Sequence, residues 1–176
     1  MNTNLLRTIT PEEIDTYHRD GVLLLQNMFD KDWIELLNKG LDVNIKTPTR
    51  RSRIWHKDTS GHSMFYDHTA WQGIDEYRKF IFNSPAAQIC GRLTGSTAIN
   101  FFFDSVFVRS TGTQFETPWH QDEPYWSVEG YDACSLWMPL VTVKQKSSLS
   151  FVPGSHRLKT VFKQYNFGDL NPVRKK

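Results

Sequence analysis

The chain has little of several things that commonly declare a function. Cysteine is almost absent: Cys90 and Cys134 are the only two, which gives neither a disulfide framework nor a zinc spacing. Cys90 falls in a helical pattern and Cys134 at the start of an apolar stretch, so both read as small core residues. The net charge is only +2, and no overall field gathers nucleic acid or membrane. No apolar run approaches membrane-spanning length, and the opening Met1-Asn2-Thr3-Asn4-Leu5 lacks the apolar region of a signal peptide. Internal repeats and low-complexity tracts are missing as well. These absences predict a soluble, cytoplasmic protein. Aromatic residues, by contrast, are plentiful. With 12 Phe and 6 Trp in 176 residues, the chain can pack one domain with a strand-rich interior.

The first ninety-odd residues read as helices with one strand between them. Thr10 followed by Pro11 and Glu13 is a capping box with proline at the first helical position, and that helix ends at Gly21. Val22-Leu23-Leu24-Leu25 looks like a short buried strand. Asp30 caps a second helix, in which Trp33, Ile34, Leu36, Leu37 and Leu41 recur at helical spacing. A third runs from Asp75 to Phe82. A fourth follows Ser84-Pro85, carries Ala86, Ile89, Cys90 and Leu93 on one face, and stops before Gly95. Between the second and third, Lys46 to Trp71 is polar, irregular and long for a connection, which predicts a binding or lid loop rather than a core element.

From Ala98 the character changes to strands. Ile99 to Arg109 is a long β-type run, turned by Thr111-Gly112. Further strands are expected at His120–Asp122, from Ser135 to Lys144, and from Leu149 to Val152 before the Pro153-Gly154 turn. Short turns between successive strands predict an antiparallel sandwich or barrel. After His156 the tail reads as loop, with Asn166-Phe167-Gly168-Asp169 and Asn171-Pro172 as turn signals and a basic end at Arg174-Lys175-Lys176. The strands stop too soon to close a barrel, and an open edge is a liability that folded domains avoid.

Chemistry concentrates at Thr117-Pro118-Trp119-His120-Gln121-Asp122. His-x-Asp on a strand puts an imidazole and a carboxylate on one face, since side chains alternate with period two. Two ligands of a 2-His-1-carboxylate iron site would then point at one spot. So short a motif is weak alone, and His56-Lys57-Asp58 repeats it. Context separates the copies: His56 lies in the polar segment and reads as a solvated loop, whereas His120 follows a rigid Pro118-Trp119 between strands. Arg50, Arg51 and Arg53 form a second cluster, suited to holding phosphate or carboxylate groups of an anionic substrate. A solvated charge run is the plainer reading of it. A nucleic-acid module would need the aromatic interleaving and broad basic stripe that the cluster lacks.

The wider string resembles the phytanoyl-CoA dioxygenase family. It includes Trp126, Ser135-Leu136-Trp137-Met138-Pro139-Leu140 and Leu149-Ser150-Phe151-Val152-Pro153-Gly154-Ser155-His156-Arg157, together with the opening Thr10-Pro11-Glu12-Glu13, Asp20-Gly21 and Phe82-Asn83-Ser84-Pro85. The resemblance spans nearly the whole chain. It implies a mainly β domain with N-terminal helices, a double-stranded β-helix of the jelly-roll, cupin-like kind, with residues 1–95 helical and 96–176 supplying its first strands. It also implies an Fe(II)- and 2-oxoglutarate-dependent dioxygenase that uses O2, releases succinate and CO2, and hydroxylates or otherwise oxidises a small organic substrate. His120 and Asp122 match the first two iron ligands, and a carboxylate at 122 favours hydroxylation over halogenation.

One departure follows. The family's distal His and its 2-oxoglutarate-binding basic residue belong to later strands, and no histidine follows His156. The match places His156 in a turn after a strand, as a loop residue near the pocket, and neither Arg157 nor Arg174 is a convincing replacement clamp. The chain is therefore expected to be truncated at the C-terminus, with a catalytically silent binding or structural domain as the rival to an enzyme. Alternation supplies further pocket candidates. Ser135 and Trp137 share a face; Ser105, Phe107 and Arg109 share another, with Arg109 in reach of an acidic cosubstrate. Trp126 and Tyr125 are candidates for a pocket wall, His156 lies near it, and Arg51 is a candidate for an anionic substrate group. Ordinary packing, or an exposed strand end for Arg109, is the bland alternative for each.

Overall fold

In the computed structural model, which describes residues 1–113, 115–128, 130, 132–164 and 167, the helical half forms as the sequence predicts. Helix α1 spans Pro11–Asp20. The Thr10 hydroxyl accepts from the Glu13 amide at 3.2 Å while the Glu13 carboxylate accepts from the Thr10 amide at 2.9 Å, so two orphan donors are satisfied reciprocally. The helix stops at Gly21, whose φ of 76° an L-residue adopts only under strain. Helix α2 spans Lys31–Lys46 behind an Asp30 cap on the Trp33 amide. Helices α3, Asp75–Asn83, and α4, Ala86–Thr94, follow.

The apolar faces close two small cores. Ile9, Met28, Ile89 and Leu93 meet beneath α4, and Leu37, Ala70, Ile74 and Tyr77 meet between α2 and α3. Trp33 on α2 is 1% exposed, packs edge-on against Phe80, and donates from Nε1 to the Asn2 carbonyl at 2.7 Å.

The strands depart from expectation. Among the described residues there are three, β1 Arg53–Trp55, β2 Met64–His68 and β3 Ser105–Arg109, in one antiparallel sheet of that order. Two of them arise inside the polar 46–71 stretch that gave no sign of a core element. The reason is Asp67, which fills the inward face of β2 where an apolar residue would have shown the alternation. It is fully buried and held by Asn44 and Thr49. The long run from Ile99 pairs only over Ser105–Arg109. At 23–25 the burial alternates, with Leu24 79% exposed and Leu23 and Leu25 packed on the first core, yet no strand among the described residues pairs with that backbone. The structure is therefore mixed rather than mainly β, and the described residues do not close a double-stranded β-helix.

No ladder forms at 120–122, 135–144 or 149–152 either. The segment after residue 132 spends its alternation on the helices: Met138 and Leu140 join the second core, and Asn38 of α2 reaches the Leu140 carbonyl at 3.4 Å. Cys134 and Cys90 are half-buried rather than core residues. Their thiols lie in hydrogen-bond contact, which raises the Cys90 thiol's pKa and lowers that of Cys134. Much apolar surface stays open in this half, including Trp119, Trp137, Val141, Phe151 and Phe162. The chain exposes 13023 Å², against about 8,900 Å² for a compact protein of this mass. The tail's turn signals and the basic Arg174-Lys175-Lys176 lie, Phe167 excepted, outside the described residues.

Two sequence blocks noted for their pattern meet in space. The Gly154 amide donates to the Asp20 carbonyl at 2.8 Å, and His156 Nε2 sits 3.1 Å from the His18 carbonyl. A Cβ at Gly21 would lie 2.2 Å from His156 Nδ1. Gly21→Ala is accordingly expected to cost about 2 kcal/mol, backbone strain plus overpacking. Gly61→Ala, at φ 85° with nothing within 4 Å, should carry the strain alone, about 1 kcal/mol. Equal shifts in denaturation midpoint would show that the His156 contact contributes nothing.

Candidate metal centre

The site begins at the end of β3. Arg109 donates to the Phe115 carbonyl at 2.8 Å and to the Thr117 hydroxyl at 3.1 Å, and so fixes the approach to Pro118. Proline has no amide proton to offer a ladder, and its carbonyl serves the site instead: His120 Nδ1 lies 2.8 Å from Pro118 O. A carbonyl can only accept, so Nδ1 carries a proton, and Nε2 is the nitrogen a metal could take in place of the proton it shares with Asp122. Nε2 points at Asp122 Oδ1, 3.2 Å away.

The two side chains meet through a turn and not through strand alternation. Asp122 adopts helical angles, φ −77° and ψ −36°, and opens a 3-10 turn over Glu123–Tyr125 that Pro124 favours. The Tyr125 amide closes it on the Asp122 carbonyl at 2.9 Å. The hydrogen bond to Asp122 raises the His120 pKa, burial opposes the shift, and the Pro118 carbonyl adds to it. Gln121 faces away and ties down the returning chain, donating to Thr160 O at 3.0 Å and accepting from the Phe162 amide at 2.9 Å. Tyr125 and Phe167 wall the imidazole at 6.0 and 4.9 Å between ring centroids.

This donor set suits a hard divalent ion. Two cis ligands at about 2.1 Å from a six-coordinate metal lie about 3 Å apart, close to the spacing found, and a carbonyl-held Nδ1 is the usual support of a ligating imidazole. Among the described residues no third His, Cys, Asp or Glu joins the pair.

A family model, phytanoyl-CoA dioxygenase (PhyH), matches residues 17–170. The chain belongs to the phytanoyl-CoA dioxygenase family. No curated protein and no solved structure matches it. Family members are typically 2-oxoglutarate-dependent dioxygenases that use Fe(II) and O2, and a cupin-like fold goes with them.

The other candidates scatter around this pair. Trp126 is half-buried just past the 3-10 turn and lines a groove with Glu123, Pro124, Val128 and Val161, so it borders the site. Arg109 spends donors on the Phe115 carbonyl and the Thr117 hydroxyl, on the approach to His120. Ser135 and Trp137 are exposed, as is Leu136 between them, and no strand forms there to give them a common face. His156 docks on the end of α1, and Arg51 sits exposed in the turn before β1. The second His-x-Asp does other work. Asp58 pairs with His62 at 2.8 Å and caps its amide, organising the β1–β2 turn, while His56 stacks on Phe115. Sequence reasoning missed Gln121 and Phe167. A lone aromatic in a polar, turn-rich tail is the only sign that Phe167 gave. No helix of the described residues is long and apolar enough to cross a membrane.

Proposed function

We propose that this phytanoyl-CoA dioxygenase-type chain binds Fe(II) through His120 Nε2 and the Asp122 carboxylate, and serves the 2-oxoglutarate-dependent oxidation of a small organic substrate. The observation that carries this reading is the 3.2 Å approach of Nε2 to Oδ1, with Nδ1 donating to Pro118 O. Bound iron would supply the chemistry: oxidative decarboxylation of 2-oxoglutarate to succinate and CO2, coupled to attack on a substrate C–H bond. The chain's own residues do the positioning. Pro118 O keeps the imidazole in the ligating tautomer, Arg109 holds the strand end that delivers it, and Tyr125 and Phe167 shed water from its face.

A second reading, a non-catalytic binding domain, draws on the missing third ligand among the described residues. Succinate formation separates the two. With Fe(II), 2-oxoglutarate and O2, the oxygenase reading expects succinate above the protein-free rate, lost in His120→Ala. Metal binding with no succinate would hand the lead to the silent domain.

A further inference from the structure

The outer face of the sheet carries a row of rings that no core claims. Trp55 and Tyr66 stack at 4.7 Å and 13°, and Tyr66 meets Phe107 across the next strand at 5.0 Å. Over β2 and β3 the opposite face is the more buried, with Asp67 fully enclosed and Val106 packed on the second core, while Ile54 of β1 is exposed there and Met64 is the one buried side chain on the ring face. Phe107, by contrast, is 54% exposed. The row leads to the metal pair, because Phe167 lies 6.2 Å from Trp55 and 4.9 Å from His120.

Side chains stand roughly perpendicular to a sheet, and rings stacked face to face in that posture turn their edges outward. Ring edges carry the positive side of the aromatic quadrupole, so they prefer the electron-rich face of another flat ring to an aliphatic chain. At the β1 end of the row, Arg53 shares the face of Trp55, two residues on, with Arg50 and Arg51 just before it. Among the described residues none of the three is paired with a carboxylate. Arg53 Nη1 donates to the Ser52 carbonyl at 2.7 Å, and the charge of the guanidinium is left for an anionic group to meet through its remaining N–H donors.

We propose that this outer face is the substrate platform of the site, taking a flat aromatic acid whose ring lies across Trp55, Tyr66 and Phe107 and whose carboxylate is held by Arg53. The word substrate rests on the oxygenase reading; the binding does not. The test therefore uses metal-free protein and 2-naphthoate as probe, followed by calorimetry, with 2-naphthalenemethanol and cyclohexanecarboxylate as the uncharged and non-aromatic counterparts. Saturable binding of 2-naphthoate is expected, at least about tenfold tighter than either counterpart. Trp55→Leu and Arg53→Gln should each weaken it about tenfold, and the exposed Phe107→Leu, a change with little bearing on folding, should weaken it severalfold. Absence of saturation, an equal affinity for cyclohexanecarboxylate, or indifference to Phe107→Leu and Arg53→Gln overturns the platform. Naphthoate binding by a protein that takes up no Mn(II) would leave the platform standing and sink the oxygenase reading instead.

Discussion

Asp122→Ala is expected to weaken Mn(II) binding at least about a hundredfold, and His120→Ala should do the same. Each change removes one of the two protein donors found together, and a first-sphere loss should exceed the 10- to 100-fold penalty typical of second-sphere changes. Asp122→Ala also removes the anion that offsets the charge of a hard cation. Asp122→Asn keeps an oxygen donor but no charge and should fall between. Arg109→Ala acts one step further out, by freeing Phe115 and Thr117, and about tenfold is the expected loss. The informative control is Asp58→Ala. It breaks the other His-x-Asp, whose carboxylate is committed to His62, and should leave Mn(II) affinity within about twofold. Titration by electron paramagnetic resonance reads all five. Unchanged affinity in both His120→Ala and Asp122→Ala would end the metal assignment, and a loss confined to Asp58→Ala would move it to the wrong motif.

What could be read ahead depended on where each element finds its partners. Helices close their own hydrogen bonds, so the Thr10 box, the Asp30 cap and the stops at Gly21 and Gly95 fixed α1, α2 and α4 from local chemistry alone. Strands depend on neighbours. The 22–25 and 149–152 segments have β-forming composition without a ladder to join, while β1 and β2 pair despite a polar pattern. The candidate site shows the same division. His120 and Asp122 were legible as residue types two apart, but the geometry that brings them together was not. The two side chains do come together, but not by strand alternation: a proline-directed turn does what alternation was expected to do. Pro118's carbonyl, Gln121's amide and Phe167 act through contacts made over distance, and no local pattern announces those.

Asp67→Ala should be the most damaging substitution outside the His120–Asp122 pair, at about 3–5 kcal/mol. The carboxylate accepts from the Asn44 amide at 2.8 Å, from the Thr49 amide at 2.8 Å, from the Thr49 hydroxyl, and from the His68 amide at 2.9 Å. Removing it strands these donors inside the protein, and each buried unmet group costs about 1–3 kcal/mol. Asp67→Asn preserves shape but presents an amide to donors, and about 2 kcal/mol is expected. Burial pushes the Asp67 carboxyl upward, and the bonds from Thr49, Asn44 and His68 more than offset it, leaving the group below its ordinary value. A lowered folded-state pKa stabilises above the unfolded value, near 4, and the gain fades as pH falls below that. Wild-type stability should therefore slope downward below about pH 4, and Asp67→Asn should lose the share of that slope owed to this group. Asp104 supplies the contrast: burial raises its carboxyl and one of its oxygens has no partner among the described residues, so Asp104→Asn should cost far less. Denaturation of the three variants between pH 3 and 7 decides the matter, and a loss under about 1 kcal/mol for Asp67→Ala would mean that the cradle does not hold the sheet. Because β2 lies between β1 and β3, the same loosening should reach Arg109 and show as weaker Mn(II) binding. The polar residue that hid the strand from its pattern is thus the one that ties the sheet beneath the site.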